Sequence, residues 1–163
     1  MKRETHNITP VYQTDSRVLL LGSFPSPKSR EVKFYYGNPQ NRFWKVISGI
    51  YADKIPETEK EKKEILSKHK IALFDVIAEC DIEGASDSSI KNVVVNDIAS
   101  IITETDVQAI FFNGKTAARL FERHYKGKLD LPVFTMPSTS PANASYSLEA
   151  LIEEWSKIKE YTN

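Results

Sequence analysis

Four short apolar runs, each closed by small or polar residues, constrain this chain more than any other feature. The first, Arg17-Val18-Leu19-Leu20-Leu21, ends at Gly22. The second covers residues 71–77 and contains Asp75. The third, Ala109-Ile110-Phe111-Phe112, ends at Asn113-Gly114, and the fourth, Val133-Phe134-Thr135-Met136, ends at Pro137-Ser138. Apolar runs of this length between turn residues read as buried strands. Helical patterns fall between and after them. One begins near Asn41 and carries Phe43, Trp44, Val46, Ile47 and Ile50 on its apolar face. A charged helix is expected over 56–69, with Pro56 in its first turn and Glu57, Glu59 and Glu61 near its positive end. Another runs through Ala117, Ala118, Leu120 and Phe121, and a last one spans about 147–160, with Leu148, Leu151, Ile152, Trp155 and Ile158 at helical spacing. Residues 93–102 fit a helix or a short strand with a helix, and 22–42 are too rich in Gly, Pro, Ser and Asn for one regular element.

Strands alternating with helices predict an α/β fold, a three-layer α/β/α arrangement around a central four-stranded parallel sheet, in one domain over residues 1–163. In such sheets ligands bind beyond the carboxyl ends of the strands. That rule gathers Gly22-Ser23, Asp75, Asn113-Gly114 and Ser138-Thr139 at one rim.

Composition excludes several classes. Cys80 is the only cysteine, so the chain cannot form an internal disulfide. His6, His69 and His124 are far apart in sequence and form no zinc-spaced cluster, so no metal is expected. No apolar stretch approaches a membrane span and the N-terminus lacks a signal core, which makes a cytoplasmic setting the default expectation. The 22 basic and 22 acidic side chains cancel overall. Up to Lys45, however, Lys2, Arg3, Arg17, Lys28, Arg30, Lys33, Arg42 and Lys45 face only Glu4, Asp15 and Glu31. A basic face on a neutral protein can hold phosphates, and a solvated mixed surface would read the same way.

Four segments could carry chemistry. Gly22-Ser23-Phe24-Pro25-Ser26 follows a buried strand, where a glycine lets backbone N–H groups approach a ligand or simply makes a tight turn. The stretch from Tyr35 to Trp44 sets tyrosines, amides and an arginine before an aromatic helix start, which suits base stacking. Within it Asn41 can be a helix cap or a functional amide. Asn113-Gly114-Lys115-Thr116 fails the phosphate-loop pattern, because Ala109 stands where that pattern needs a glycine. Asn113 can still read a base edge or cap the next helix. Pro137 to Ala144 offers hydroxyls and backbone N–H groups suited to phosphate, or an ordinary Ser/Thr turn.

Together the segments GSFPSPKS at 22–29, YYGNPQNRFWK at 35–45, FNGKTA at 112–117 and MPSTSPANA at 136–144 resemble the uracil-DNA glycosylase superfamily, closest to its hypoxanthine (deoxyinosine) DNA glycosylase branch. The resemblance covers about residues 17–145. It implies a monofunctional hydrolase that removes deaminated bases from DNA and so initiates base excision repair, as a monomer without cofactor. The uracil-specific branch carries an Asp in the first motif and a His in the last, and Phe24 and Met136 occupy those places here. The mismatch-specific branch has an Asn where Phe24 stands. The deoxyinosine branch lacks these groups too, and its important Asn, carried over, is Asn41. An amide is no base near neutral pH, so its carbonyl is expected to orient a water. Phe24 or Tyr36 would stack on the base, while Asn113 and the backbone of Gly22 and Ser23 bind its polar edge. Ser26, Lys28, Arg42, Ser138, Thr139 and Ser140 would contact the DNA. A non-catalytic nucleic-acid binder of this fold and a small-nucleoside enzyme are the alternatives.

Overall fold

The computed structural model describes residues 2–162. Its centre is a parallel sheet of β2 (Val18–Gly22), β3 (Ile71–Asp75), β6 (Ala109–Asn113) and β7 (Val133–Met136), in spatial order β3-β2-β6-β7. The expected α/β/α fold with a four-stranded parallel sheet is therefore present. Every residue of β2 is buried, as its unbroken apolar run requires of a strand covered on both faces.

The helices around the sheet are α1 (Pro27–Val32), α2 (Phe43–Tyr51), α3 (Glu59–Lys68), α4 (Ile98–Glu104), α5 (Lys115–Tyr125), α6 (Leu148–Trp155) and α7 (Lys159–Thr162). With the right-handed crossovers that parallel strands take, the strand order sends the connection from β2 to β3 over one face, and those from β3 to β6 and from β6 to β7 over the other. Aromatic contacts agree. Phe111 packs toward Tyr161 of α7 at 5.9 Å, whereas its neighbour Phe112 meets Phe121 of α5 at 5.0 Å. Successive side chains of one strand thus serve opposite layers. The chain reverses direction across the sheet between β2 and β6, so the crevice opens beyond Gly22 and Asn113.

A second, antiparallel sheet, β1 (Lys2–Thr5), β4 (Ile77–Ile82) and β5 (Lys91–Val95), was not anticipated. The run 71–77 is not one strand: it ends at Asp75, and β4 leaves in a new direction. Asn96 explains the break, because its Nδ2 donates to the carbonyls of both Asp75 and Ile77 and occupies groups a continuing strand would pair. The ambiguous segment 93–102 holds the end of β5 and the start of α4, the strand-plus-helix alternative. The loop 22–42 encloses the short α1, capped by Ser26. The charged helix starts later than expected, at Glu59, with Thr58 and Glu61 forming a reciprocal capping box. The last helix is interrupted by a 3-10 turn at Ser156–Ile158.

Two contacts position the site. Gly49 on α2 lets Ile152 of α6 lie against the helix where any Cβ would collide, which brings the two helices together at a cost of about 1 kcal/mol in helix propensity. Trp155, fully buried, donates Nε1–H to the carbonyl of Pro137 at 3.0 Å and anchors the loop after β7 to α6. Phe43 and Trp44 lie in the core, as their pattern predicted. Among the described residues no helix is long and apolar enough to cross a membrane.

Candidate active site

A cleft of about 1000 Å³ opens at the carboxyl ends of the parallel strands. That is the upper end of the roughly 300–1000 Å³ usual for small-molecule sites. Gly22, Ser23, Phe24, Ser26, Tyr36, Asn41, Asn113, Ser138, Thr139 and Ser140 all line it. The residues singled out from four separate segments therefore converge, while Lys28 and Arg42 do not line the cleft.

Its rear wall is a hydrogen-bond relay. Asn113 Nδ2 donates to Thr139 Oγ1 at 3.0 Å, and that hydroxyl donates onward to Asn41 Oδ1 at 2.8 Å. Thr139 N–H returns a bond to Asn113 Oδ1 at 3.0 Å. Asn41 Oδ1 also accepts from Phe43 N–H at 2.9 Å, at the start of α2. A backbone N–H can only donate, so the atom facing it must be the amide oxygen, and the orientation of Asn41 is settled. Both readings of Asn41 therefore hold at once: its oxygen supports the helix start, and its side chain borders the cleft. The expected water-orienting role of that oxygen does not fit, because two protein donors already occupy it. The Nδ2 group has no protein partner among the described residues and is the part of Asn41 free to act.

Three expected DNA contacts are used inside the protein. Thr139 is fully buried, so its hydroxyl cannot reach a phosphate. The Arg42 guanidinium donates to the carbonyls of Tyr146, Ser140 (3.2 Å) and Asn143 (2.9 Å) and straps the loop after β7. Ser26 Oγ caps α1 by accepting from Ser29 N–H. Ser138 and Ser140 accept from backbone N–H groups two residues on, yet stay partly exposed on the rim. Lys28 is exposed, 3.8 Å from Glu31.

The floor is formed by Tyr36, Asp75 and Gly22. Asp75 is side by side with Gly22 in the register of β2 and β3, and 4% exposed. Its Oδ2 meets His6 Nε2 at 2.8 Å. Ile8 N–H donates to His6 Nδ1 at 3.3 Å, which leaves the ring proton on Nε2 to be donated to Asp75. Tyr36 does not offer both ring faces to a ligand: it stacks on Phe43 with centroids 4.0 Å apart. Its backbone is in the left-handed region, at φ 53°, a strained choice for a tyrosine that turns the side chain into the site. Its buried hydroxyl lacks a hydrogen-bond partner. Burial drives that phenol far above its ordinary range, and the charge of Asp75 adds to the effect. The Asn113 amide is near enough to oppose the shift without reaching hydrogen-bond geometry. Gly22 is needed here for space, not for its backbone angle. A Cβ on it would sit 2.6 Å from Asp75 Oδ1 and 3.2 Å from Tyr36 Oη. Gly22→Ala is expected to lower unfolding free energy by about 1–3 kcal/mol. A urea unfolding curve identical to wild type would contradict that crowding.

Phe24 presents one face to the Arg30 guanidinium, 5.2 Å from its centroid, and an edge relation to His6. Ser23 Oγ donates to Asp87 Oδ1 at 3.0 Å, so its hydroxyl is committed to the loop between β4 and β5. Asp87 is exposed as a residue, yet desolvation of its carboxyl by the surrounding protein raises it above its ordinary range against the pull of that bond, and the charge of Asp75 raises it further. Sequence reasoning placed Asp75 on the rim without a role, did not single out Asp87, and found no partner for His6. His6 and Asp75 are 69 residues apart, and only the register of the sheets brings them together.

The profile of the uracil DNA glycosylase superfamily matches residues 9–159. A hypoxanthine DNA glycosylase of Methanosarcina acetivorans is 32% identical over 139 residues, 84% of this chain and 87% of that protein. A hypoxanthine DNA glycosylase of Methanosarcina barkeri is 32% identical over 109 residues, 65% of this chain and 68% of that protein. A solution NMR structure of a candidate uracil DNA glycosylase from Methanosarcina acetivorans superposes with a TM-score of 0.80 at 26% identity, covering 95% of this chain and 98% of that one.

Proposed function

Because the chain belongs to the uracil DNA glycosylase superfamily, a family of hydrolytic DNA glycosylases, we propose that it removes deaminated bases, hypoxanthine, uracil or xanthine, from DNA as a monofunctional enzyme and thereby starts base excision repair. One observation carries the reading within this chain. The relay Asn113–Thr139–Asn41 holds one amide NH2 group, that of Asn41, unpaired at the wall of a cleft large enough for an extruded nucleotide.

The target base must first leave the helix, which costs a few kcal/mol and least where pairing is already weak. The glycosidic bond then breaks with its electron pair departing on the base. Water adds to the sugar carbon, and its proton is lost to solvent or to the base. No carboxylate stands at Phe24 and no imidazole at Met136 to assist. The Asn41 NH2 group supplies instead a fixed donor toward the negative charge that grows on the leaving base. A donor already in place needs no reorganisation as the charge appears. Phe24 stacks on the base, the Gly22-Ser23 segment borders its polar edge, and Asn113 acts through Thr139. Ser138 and Ser140 on the rim, with Lys28 beside it, face the strand backbone, while the Ser26 hydroxyl stays on the cap of α1.

The test uses labelled duplexes carrying hypoxanthine, uracil or xanthine. The expected result is release of at least one base, leaving an abasic site that is cut only after alkali. Strand cutting without alkali would refute the monofunctional reading, for which Lys115 on the cleft wall is the amine to suspect. Salt-dependent DNA binding with no base released from any duplex would instead favour a non-catalytic binder.

A further inference from the structure

We infer that Tyr36 and Asp75, the latter held by His6, form a donor–acceptor pair that reads the lactam edge of the extruded base and so selects deaminated bases over their parents. The inference rests on the glycosylase reading above and adds the groups that choose the base.

Both polar atoms crowd the same point above Gly22, at 3.2 Å for Tyr36 Oη and 2.6 Å for Asp75 Oδ1 from where a methyl would lie. Among the described residues neither makes a hydrogen bond of proper geometry to the protein. The Tyr36 hydroxyl is buried without a partner. Asp75 Oδ1 has no protein hydrogen bond among the described residues, while Oδ2 is fixed by His6. A buried donor without a protein partner carries a desolvation penalty that a ligand atom can relieve. The pair therefore offers an O–H and a carboxylate oxygen side by side. Hypoxanthine, uracil and xanthine each present a carbonyl oxygen next to a ring N–H. The hydroxyl donates to that carbonyl and the carboxylate accepts from that N–H. Adenine and cytosine present the reverse, an amine beside a bare ring nitrogen, which sets the ring lone pair against the acceptor-only carboxylate and leaves the hydroxyl without a carbonyl to donate to. Guanine shares the lactam edge and is held back by its pairing in the stack.

The two groups act differently on rate. The carboxylate opposes negative charge on the departing base, so Asp75 trades speed for selection. The Tyr36 hydroxyl receives the charge that moves onto the carbonyl oxygen. His6 is a positioning residue: its Nε2–H keeps Oδ2 occupied and Oδ1 turned to the cleft.

Single-turnover release is measured from duplexes containing hypoxanthine, N1-methylhypoxanthine or plain purine, which lacks both the carbonyl and the ring N–H. Wild type is expected to lose about 10- to 100-fold on N1-methylation, the weight of a hydrogen bond to a charged group. That penalty should shrink to a few-fold in Asp75→Ala and in His6→Phe, and return in His6→Gln, which restores an N–H donor. Tyr36→Phe, which keeps the stack on Phe43, should slow hypoxanthine release clearly more than purine release. Thermal melts check that each variant is folded, and the Tyr36→Phe comparison decides if Asp75→Ala does not fold. Equal N1-methyl penalties in wild type and variants, with equal slowing of both bases by Tyr36→Phe, would overturn the inference and leave the glycosylase reading standing. No base released by wild type from any duplex would overturn both.

Discussion

Asn41→Ala slows base release by about 10²- to 10³-fold, the usual loss when one fixed donor is taken from a developing negative charge. The same change costs about 1 kcal/mol of stability, because Phe43 N–H loses its side-chain acceptor at the start of α2. Affinity for an abasic-site analogue, which has no base to stabilise, stays close to wild type. Single-turnover kinetics and a binding titration measure the two effects separately. Asn41→Asp discriminates the mechanism. Aspartate keeps an oxygen for Phe43 and Thr139 but replaces the NH2 group with a second acceptor. If the amide works as a donor, Asp is no better than Ala. Recovery of rate in Asn41→Asp would show that an acceptor for water is what the position needs, and the donor role would fall.

Thr139→Val is expected to damage both stability and rate although it preserves shape. Thr139 is fully buried, and its hydroxyl both accepts from Asn113 and donates to Asn41. Valine leaves the Asn113 amide without its acceptor and Asn41 with one donor in place of two. Each buried polar group left unpaired costs about 1–3 kcal/mol. For a chain of this size that corresponds to a fall in Tm of roughly 2–4 °C per kcal/mol. The freed Asn41 side chain loses its fixed direction, and a misplaced catalytic group costs up to about 10²-fold. Thr139→Ser keeps the hydroxyl and should restore most of the rate. A valine variant that melts and reacts like wild type would show that the relay has no influence on Asn41.

The layers of the fold were legible from residue pattern because they depend on local runs. Val18 to Leu21 and Ala109 to Phe112 are apolar on both faces, and only a strand covered by helices on both sides satisfies that. The kink at Val76 was not legible, since it depends on Asn96 arriving from another element to occupy the carbonyls of Asp75 and Ile77. β1 was missed because Lys2 to Thr5 is polar and mostly exposed, and owes its conformation to pairing with β4.

The site divides in the same way. Its membership followed from the rule that strand ends converge, so Gly22, Asn113 and Thr139 could be placed from the order of the runs alone. Their roles could not. Whether a hydroxyl faces a phosphate or a buried amide depends on neighbours far away in sequence: 98 residues separate Asn41 from Thr139, and 69 separate His6 from Asp75. Thr139 changed from a DNA contact to the hub of a relay, and Arg42 from a phosphate ligand to a strap on the loop after β7. The sequence by itself determined the layers, the open end of the sheet and the residues that meet there, because apolar patterning and chain order act over short range. Only the tertiary structure decided which polar atoms remain free for chemistry, because each hydrogen bond made inside the protein removes a donor or an acceptor from the cleft.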